Sequence, residues 1–77
     1  MIKIYSTPAC PYCVTLKTFL TEHNVEFEDI DVSQDKKALD EMVKKSGQMG
    51  VPVADINGEI VVGFDKEKIK NLLKITD

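Results

Sequence analysis

The chain has 77 residues and a formal charge of −3, from ten lysines, no arginine and thirteen acids. A nucleic-acid partner calls for clustered cations, so that class is excluded as the main ligand. No apolar run approaches the ~20 residues of a membrane span. At this size roughly 60% of the unfolded chain's surface is buried on folding. The 43% hydrophobic content suits one small core. The expected organisation is one domain over residues 1–77, without linker, repeat or low-complexity segment.

Ile2 to Ser6 reads as a short strand at the very start, with no leader ahead of it. Thr7 and Pro8 end it. A helix should begin near Pro11, since proline is tolerated in a first helical turn. Leu16, Phe19, Leu20 and His23 fall on one face of that helix, and Asn24 ends it. Val25 to Val32 reads as a second strand. Its acids Glu26, Glu28, Asp29 and Asp31 suit an edge. Ser33 and Asp35 are candidate starts of a second helix, with Leu39, Met42 and Val43 at core spacing. Asp40/Lys44 and Glu41/Lys45 are spaced as pairs on its outer face, and Gly47 is its expected stop.

Val51 to Ile56 and Glu59 to Val62 flank Asn57-Gly58, the signal of a tight hairpin. Gly63-Phe64 follows. Asp65 can cap a last helix that turns Ile69, Leu72 and Leu73 inward. The order β-α-β-α-β-β-α implies an α/β fold. It has a four-stranded mixed sheet flanked by three helices, the first strand pair parallel and the last antiparallel.

The only cysteines are Cys10 and Cys13, in Pro8-Ala9-Cys10-Pro11-Tyr12-Cys13. A structural disulfide would close too small a loop to stabilise much and would rarely persist in a reducing cytosol, the expected compartment. A zinc site lacks half its ligands. His23, the only histidine, lies ~15 Å further along the same helix. It reads as a polar residue near a helix end. Thiol–disulfide exchange is the third use, and the strand–turn–helix context is the one it requires. Cys10 stands at the helix start, where free amides and the positive end of the dipole favour a thiolate. Cys13 follows one turn later on the same side. Cys10 is therefore the expected nucleophile and Cys13 the resolving thiol, with Pro11 stiffening the turn. Tyr12 is either turn filler or a ring that covers docked substrate. Lys17, one turn beyond Cys13, is either a solvated lysine or an aid to the thiolate.

Cys10-Pro11-Tyr12-Cys13, Val51-Pro52 and Gly63-Phe64-Asp65, in this order and context, resemble the glutaredoxin family over nearly the whole chain. The resemblance implies a thioredoxin-like fold and thiol–disulfide oxidoreductase activity without a permanently bound cofactor. It also implies a cis Val51–Pro52 bond whose Val51 backbone pairs with substrate. It gives Tyr12, Val51, Pro52, Gly63, Phe64 and Asp65 as the substrate or glutathione surface, with Asp65 meeting the γ-glutamyl ammonium. Glutathione is then the expected co-substrate, disulfide-bearing proteins the partners, and a monomer the expected state.

The chain departs from that pattern. Thr7 stands where lysine is usual. Gln48 or Met49 stands where arginine is common, Gly50 replaces threonine, and Lys66 replaces a second aspartate. The lost cations would hold glutathione's glycine carboxylate, at ~1.5–3 kcal/mol per charge-assisted contact. A related branch is fed by thioredoxin reductase and often serves ribonucleotide reductase. It shares Gly63-Phe64 with a charged helix start but not the Pro-Tyr interior. In that branch Phe64 would be a reductase-docking residue, and otherwise it packs in the core. Met49 beside Val51-Pro52 could line the groove. A third use of the same family is a dimer that bridges an iron–sulfur cluster through Cys10.

Overall fold

In the computed structural model, which describes residues 2–75, the elements follow the expected order. They are β1 (Ile2–Ser6), α1 (Pro11–Glu22), β2 (Glu28–Asp31), α2 (Lys36–Ser46), β3 (Val53–Ile56), β4 (Glu59–Val62) and α3 (Lys66–Leu73). The sheet runs β2-β1-β3-β4. β1 and β2 are parallel, with Ile4 opposite Asp29. β1 and β3 are antiparallel, ending at Tyr5 opposite Val53. β3 and β4 form the hairpin. Asn57 and Gly58 both take positive φ, at 53° and 98°, as its two-residue turn demands. The acidic strand β2 lies on the sheet edge, where its charges were expected.

Side-chain alternation along β1 and β3 splits the interior into two layers. Ile2, Ile4, Ala54 and Ile56 face Leu16, Phe19 and Leu20 of α1 and Ile69 of α3. Tyr5 and Val53 face Ala38 and Met42 of α2. Burying each larger apolar side chain stabilises the fold by roughly 1.5–3 kcal/mol. The layer over α2 is the smaller one.

Three readings need correction. β2 begins at Glu28, not Val25, because the exit of α1 consumes the intervening residues. Asn24 turns left-handed at φ 58°, and the Val25 N–H donates to the Leu20 carbonyl at 2.9 Å. β3 begins at Val53, not Val51, because Pro52 has no N–H and ends the ladder with β1. Glu41 and Lys45 do not simply decorate an outer face. Lys45 Nζ reaches Asp55 Oδ2 at 2.6 Å, Glu41 Oε1 at 3.1 Å and the Tyr5 hydroxyl at 3.2 Å. That hydroxyl also donates to Glu41. The pair thus locks α2 to β1 and β3.

The helix ends follow capping chemistry. Asp35 accepts the Ala38 N–H at 3.1 Å and starts α2. Ser33, the other candidate, instead donates its N–H to Asp31 Oδ1. Gly47 ends α2 in the left-handed region at φ 75°.

Candidate active site

β1 delivers the chain at its C-terminal end into the turn before α1. There the Cys10 N–H donates to the Thr7 carbonyl at 3.3 Å. Cys10 is the N-cap of α1, and Pro11 takes the first helical position. Its sulfur accepts the Cys13 N–H at 3.2 Å. Backbone donors at a helix start are left unpaired by geometry, and here one of them is aimed at sulfur. The Cys10 thiol can donate in turn to the Val51 carbonyl, 3.8 Å away.

Both cysteines are free thiols, with Cys10 half-buried and Cys13 buried. Cys13 is one turn inside the helix, on the side of Leu16 and Leu20, and is 0% exposed. Its thiol is pushed from an ordinary 9.0 up to about 11. Burial is the main cause, and the hydrogen bond and charge of Cys10 add to it. The Thr7 backbone and the Lys17 charge pull the other way. The two sulfurs thus occupy unequal environments, one reachable and amide-bonded, one sealed and held protonated.

The Val51–Pro52 bond is cis, as the resemblance implied. Pro52 is buried, and its carbonyl accepts the Gly63 N–H at 2.8 Å. Gly63 sits at φ 76°, a backbone shape that favours glycine. The Gly63 turn is therefore fastened to the proline beside Cys10. Phe64 turns inward against Phe19, ring centres 5.9 Å apart and edge to face. It is half-buried, packed against the core on one side. Asp65 caps α3 by accepting the Lys68 N–H at 3.2 Å. Lys66, at the aspartate position of the family pattern, lies over the Phe19 ring. His23 packs on Phe19 and donates from Nδ1 to the Phe19 carbonyl, a helix-end role.

Lys17 does not stand free in solvent. Its ammonium bonds Asp29 Oδ2 at 3.0 Å, and Asp29 Oδ1 accepts from the Ser6 hydroxyl at 2.9 Å. Sequence reasoning missed Asp29 as a partner. The only local signal was an acid on a strand expected beside β1. It also missed Gln48, whose side-chain amide folds back on Gly50 rather than facing a ligand.

Tyr12 is 66% exposed, Met49 68%, Val14 55% and Val62 50%. Each belongs to a segment adjoining Cys10, Cys13 or Pro52. A concavity of about 710 Å³ lies elsewhere, lined by Ile2, Val25, Glu26, Phe27 and Glu28 at the opposite end of β1. It contains no redox or nucleophilic side chain. Among the described residues no group of His, Cys, Asp or Glu is arranged to hold a metal ion, and no helix is long and apolar enough to cross a membrane.

Comparison with known proteins agrees with this geometry. The glutaredoxin family model matches residues 2–61. The chain is 49% identical over 74 residues to the "uncharacterized glutaredoxin-like 8.6 kDa protein in rubredoxin operon" of Clostridium pasteurianum, covering 96% of this chain and 99% of that protein. A mutant of the thioredoxin-like protein BC3987 superposes with a TM-score of 0.92 at 39% identity, covering 97% and 96% of the two chains. The glutaredoxin-like NrdH-redoxin of Escherichia coli, described as having a thioredoxin-like activity profile, gives a TM-score of 0.81 at 27% identity over 92% of both chains. With a mixed four-stranded sheet, a Cys-x-x-Cys at the start of α1 and a cis proline facing it, the chain belongs to the glutaredoxin family.

Proposed function

We propose that the protein is a dithiol thiol–disulfide oxidoreductase in which Cys10 attacks and Cys13 resolves. The observation that carries this reading is the Cys13 N–H aimed at the Cys10 sulfur at 3.2 Å, with the Cys13 thiol sealed one turn behind it. The Cys10 thiolate attacks one sulfur of a substrate disulfide. A mixed disulfide forms and the other substrate sulfur leaves as a thiolate. Cys10 then no longer repels a second negative charge, so ionising Cys13 becomes easier. Its proton leaves, its sulfur attacks Cys10, and the second substrate thiol is released. The products are two substrate thiols and a Cys10–Cys13 disulfide. An external dithiol or two monothiols then reduce that disulfide with two electrons. No bound cofactor takes part. This cycle suits a reducing compartment such as the cytosol.

Tyr12, Val51, Pro52, Gly63 and Phe64 surround the exchange point in this reading. Val51 offers its carbonyl to a substrate backbone, and Tyr12 covers the docked chain. Glutathione is a candidate electron donor, with Asp65 as a contact for its ammonium. A protein reductant, of the thioredoxin reductase kind, has specific support. Thr7, Gln48 and Met49 offer no cation to a glycine carboxylate, and the chain has no arginine. Tyr12 and Met49, close in the chain to Cys10 and Pro52, are exposed apolar side chains, as suits a protein partner. The similarity to NrdH-redoxin points the same way.

The test is NADPH consumption during reduction of insulin. Glutathione with glutathione reductase is compared with thioredoxin reductase, using wild type and Cys10→Ser. Wild type is expected to turn over with thioredoxin reductase, and Cys10→Ser with neither donor. Turnover by Cys10→Ser would reject the nucleophile. Efficient turnover with glutathione alone would reject the protein-reductant reading.

A further inference from the structure

We infer that Gln48 is a positioning residue for polypeptide substrates, acting by closing its side-chain amide onto the Gly50 backbone and so holding the Val51 carbonyl beside Cys10. The inference rests on the oxidoreductase reading above and adds the substrate class, an extended polypeptide disulfide.

The geometry is unusually complete for an exposed loop. Gln48 Nε2 donates to the Gly50 carbonyl at 2.9 Å, and the Gly50 N–H donates to Gln48 Oε1 at 2.9 Å. One amide side chain therefore occupies both polar groups of one residue. Gln48 is itself anchored to the end of α2. Its N–H donates to Ser46 Oγ at 3.3 Å, and that hydroxyl lies 2.9 Å from the Gln48 carbonyl and 2.7 Å from the Met42 carbonyl. On the far side of Val51, the Gly63 N–H holds the Pro52 carbonyl at 2.8 Å. Val51 is thus fixed through both chain neighbours, and its own carbonyl is the one that faces the Cys10 sulfur.

Gly50 is part of the same device. A Cβ there would lie 2.7 Å from Gln48 Oε1, closer than atoms can approach. Any side chain at 50 must push the amide away, although the backbone is not in the left-handed region. The glutamine and the glycine therefore go together. The amide's acceptor and a donor are both taken up by Gly50, so this position braces the loop rather than reaching for a carboxylate. An extended polypeptide that pairs with the loop as an added strand depends on the direction of the Val51 carbonyl. A small disulfide, which needs only the sulfur of Cys10, does not.

The experiment compares wild type with Gln48→Ala, Gly50→Ala, the double variant and Gln48→Glu. Steady-state reduction of insulin and of cystine is measured, with amide hydrogen exchange at Gly50. Either alanine variant should raise KM for insulin about fivefold, the effect of losing one or two net hydrogen bonds, and leave kcat and cystine reduction unchanged. The double variant should be no worse than the singles. Gln48→Glu, which keeps the acceptor and loses the donor, should fall between. Gly50 exchange should be slow in wild type and fast in Gln48→Ala. Rapid exchange in wild type would overturn the inference. So would an unchanged insulin KM in a Gln48→Ala protein with fast exchange, or an equal loss on cystine. A wild type that reduces neither disulfide would remove the oxidoreductase reading and this inference with it, a result distinct from an active wild type matched by its variants.

Discussion

Titrating the reduced protein through the alkaline range measures how the fold divides its two sulfurs. Cys13 is raised from 9.0 to about 11, chiefly by burial and then by the hydrogen bond and charge of Cys10. At pH 8 that depletes the Cys13 thiolate about a hundredfold relative to an ordinary thiol. At pH 8 about one molecule in a thousand carries it. Complete burial restricts access further. Limiting iodoacetamide at pH 8, followed by peptide mapping, should therefore label Cys13 at least a hundredfold more slowly than an ordinary thiol and leave the label on Cys10. In a Cys10→Ser variant the sulfur's hydrogen bond and charge are gone, so Cys13 should ionise at lower pH, seen as thiolate absorbance, while burial keeps it above 9.0. The same shift links to stability. The native state retains a proton that the unfolded chain releases above pH 9.0. The stabilisation is full below that pH and is lost between 9.0 and 11. The urea midpoint of reduced wild type should fall across that window, and that of Cys13→Ala should fall less. Equal labelling of the two cysteines, or a Cys13 fully ionised by pH 9, would refute the account of a sealed resolving thiol.

Further outcomes follow from other contacts. Cys13→Ser should accumulate a mixed disulfide between Cys10 and substrate, visible by intact mass; full two-electron turnover on insulin would remove Cys13 from its role. Glu41 is held down to about 2, first by the Tyr5 hydroxyl and then by Lys45, and Lys45 holds Asp55 low as well. The Glu41 contribution is present above its unfolded value of 4.5 and is lost as the pH falls toward 2, with that of Asp55 lost in the same acid direction; circular dichroism should show stability falling in that window, less steeply in Glu41→Gln. Lys45→Ala leaves the Asp55 carboxylate, 13% exposed, without its ammonium. Partly exposed charge-assisted bonds make that about 1–2 kcal/mol, or a Tm lower by about 5–10 °C; no change in Tm would mean that the cluster is decorative. Asp65→Ala should cost about 1 kcal/mol as a lost helix cap and, with glutathione as donor, raise the KM for glutathione; an unchanged KM would leave Asp65 as a cap alone.

Much of this architecture was readable along the chain, because the signals act over a few residues. Helical spacing in Leu16-Phe19-Leu20, the Asn57-Gly58 turn, the caps at Asp35 and Asp65 and the cysteine at a helix start need only neighbours within about one turn. The family pattern added the cis Val51–Pro52 bond. Tertiary structure alone decided the rest, because those partners are far apart in sequence. Cys10 meets Val51 across 41 positions, and Tyr5 meets Glu41 across 36. Lys45 could be read only as a helix pair with Glu41 until the sheet placed Tyr5 and Asp55 beneath it. Gln48 was read as a missing cation, since nothing in the string of letters tells a side chain that it will bond the residue two ahead. The unequal burial of two cysteines three residues apart was likewise decided by packing. A periodic pattern states which face turns inward, while the depth to which each atom sinks depends on what the other layer brings against it.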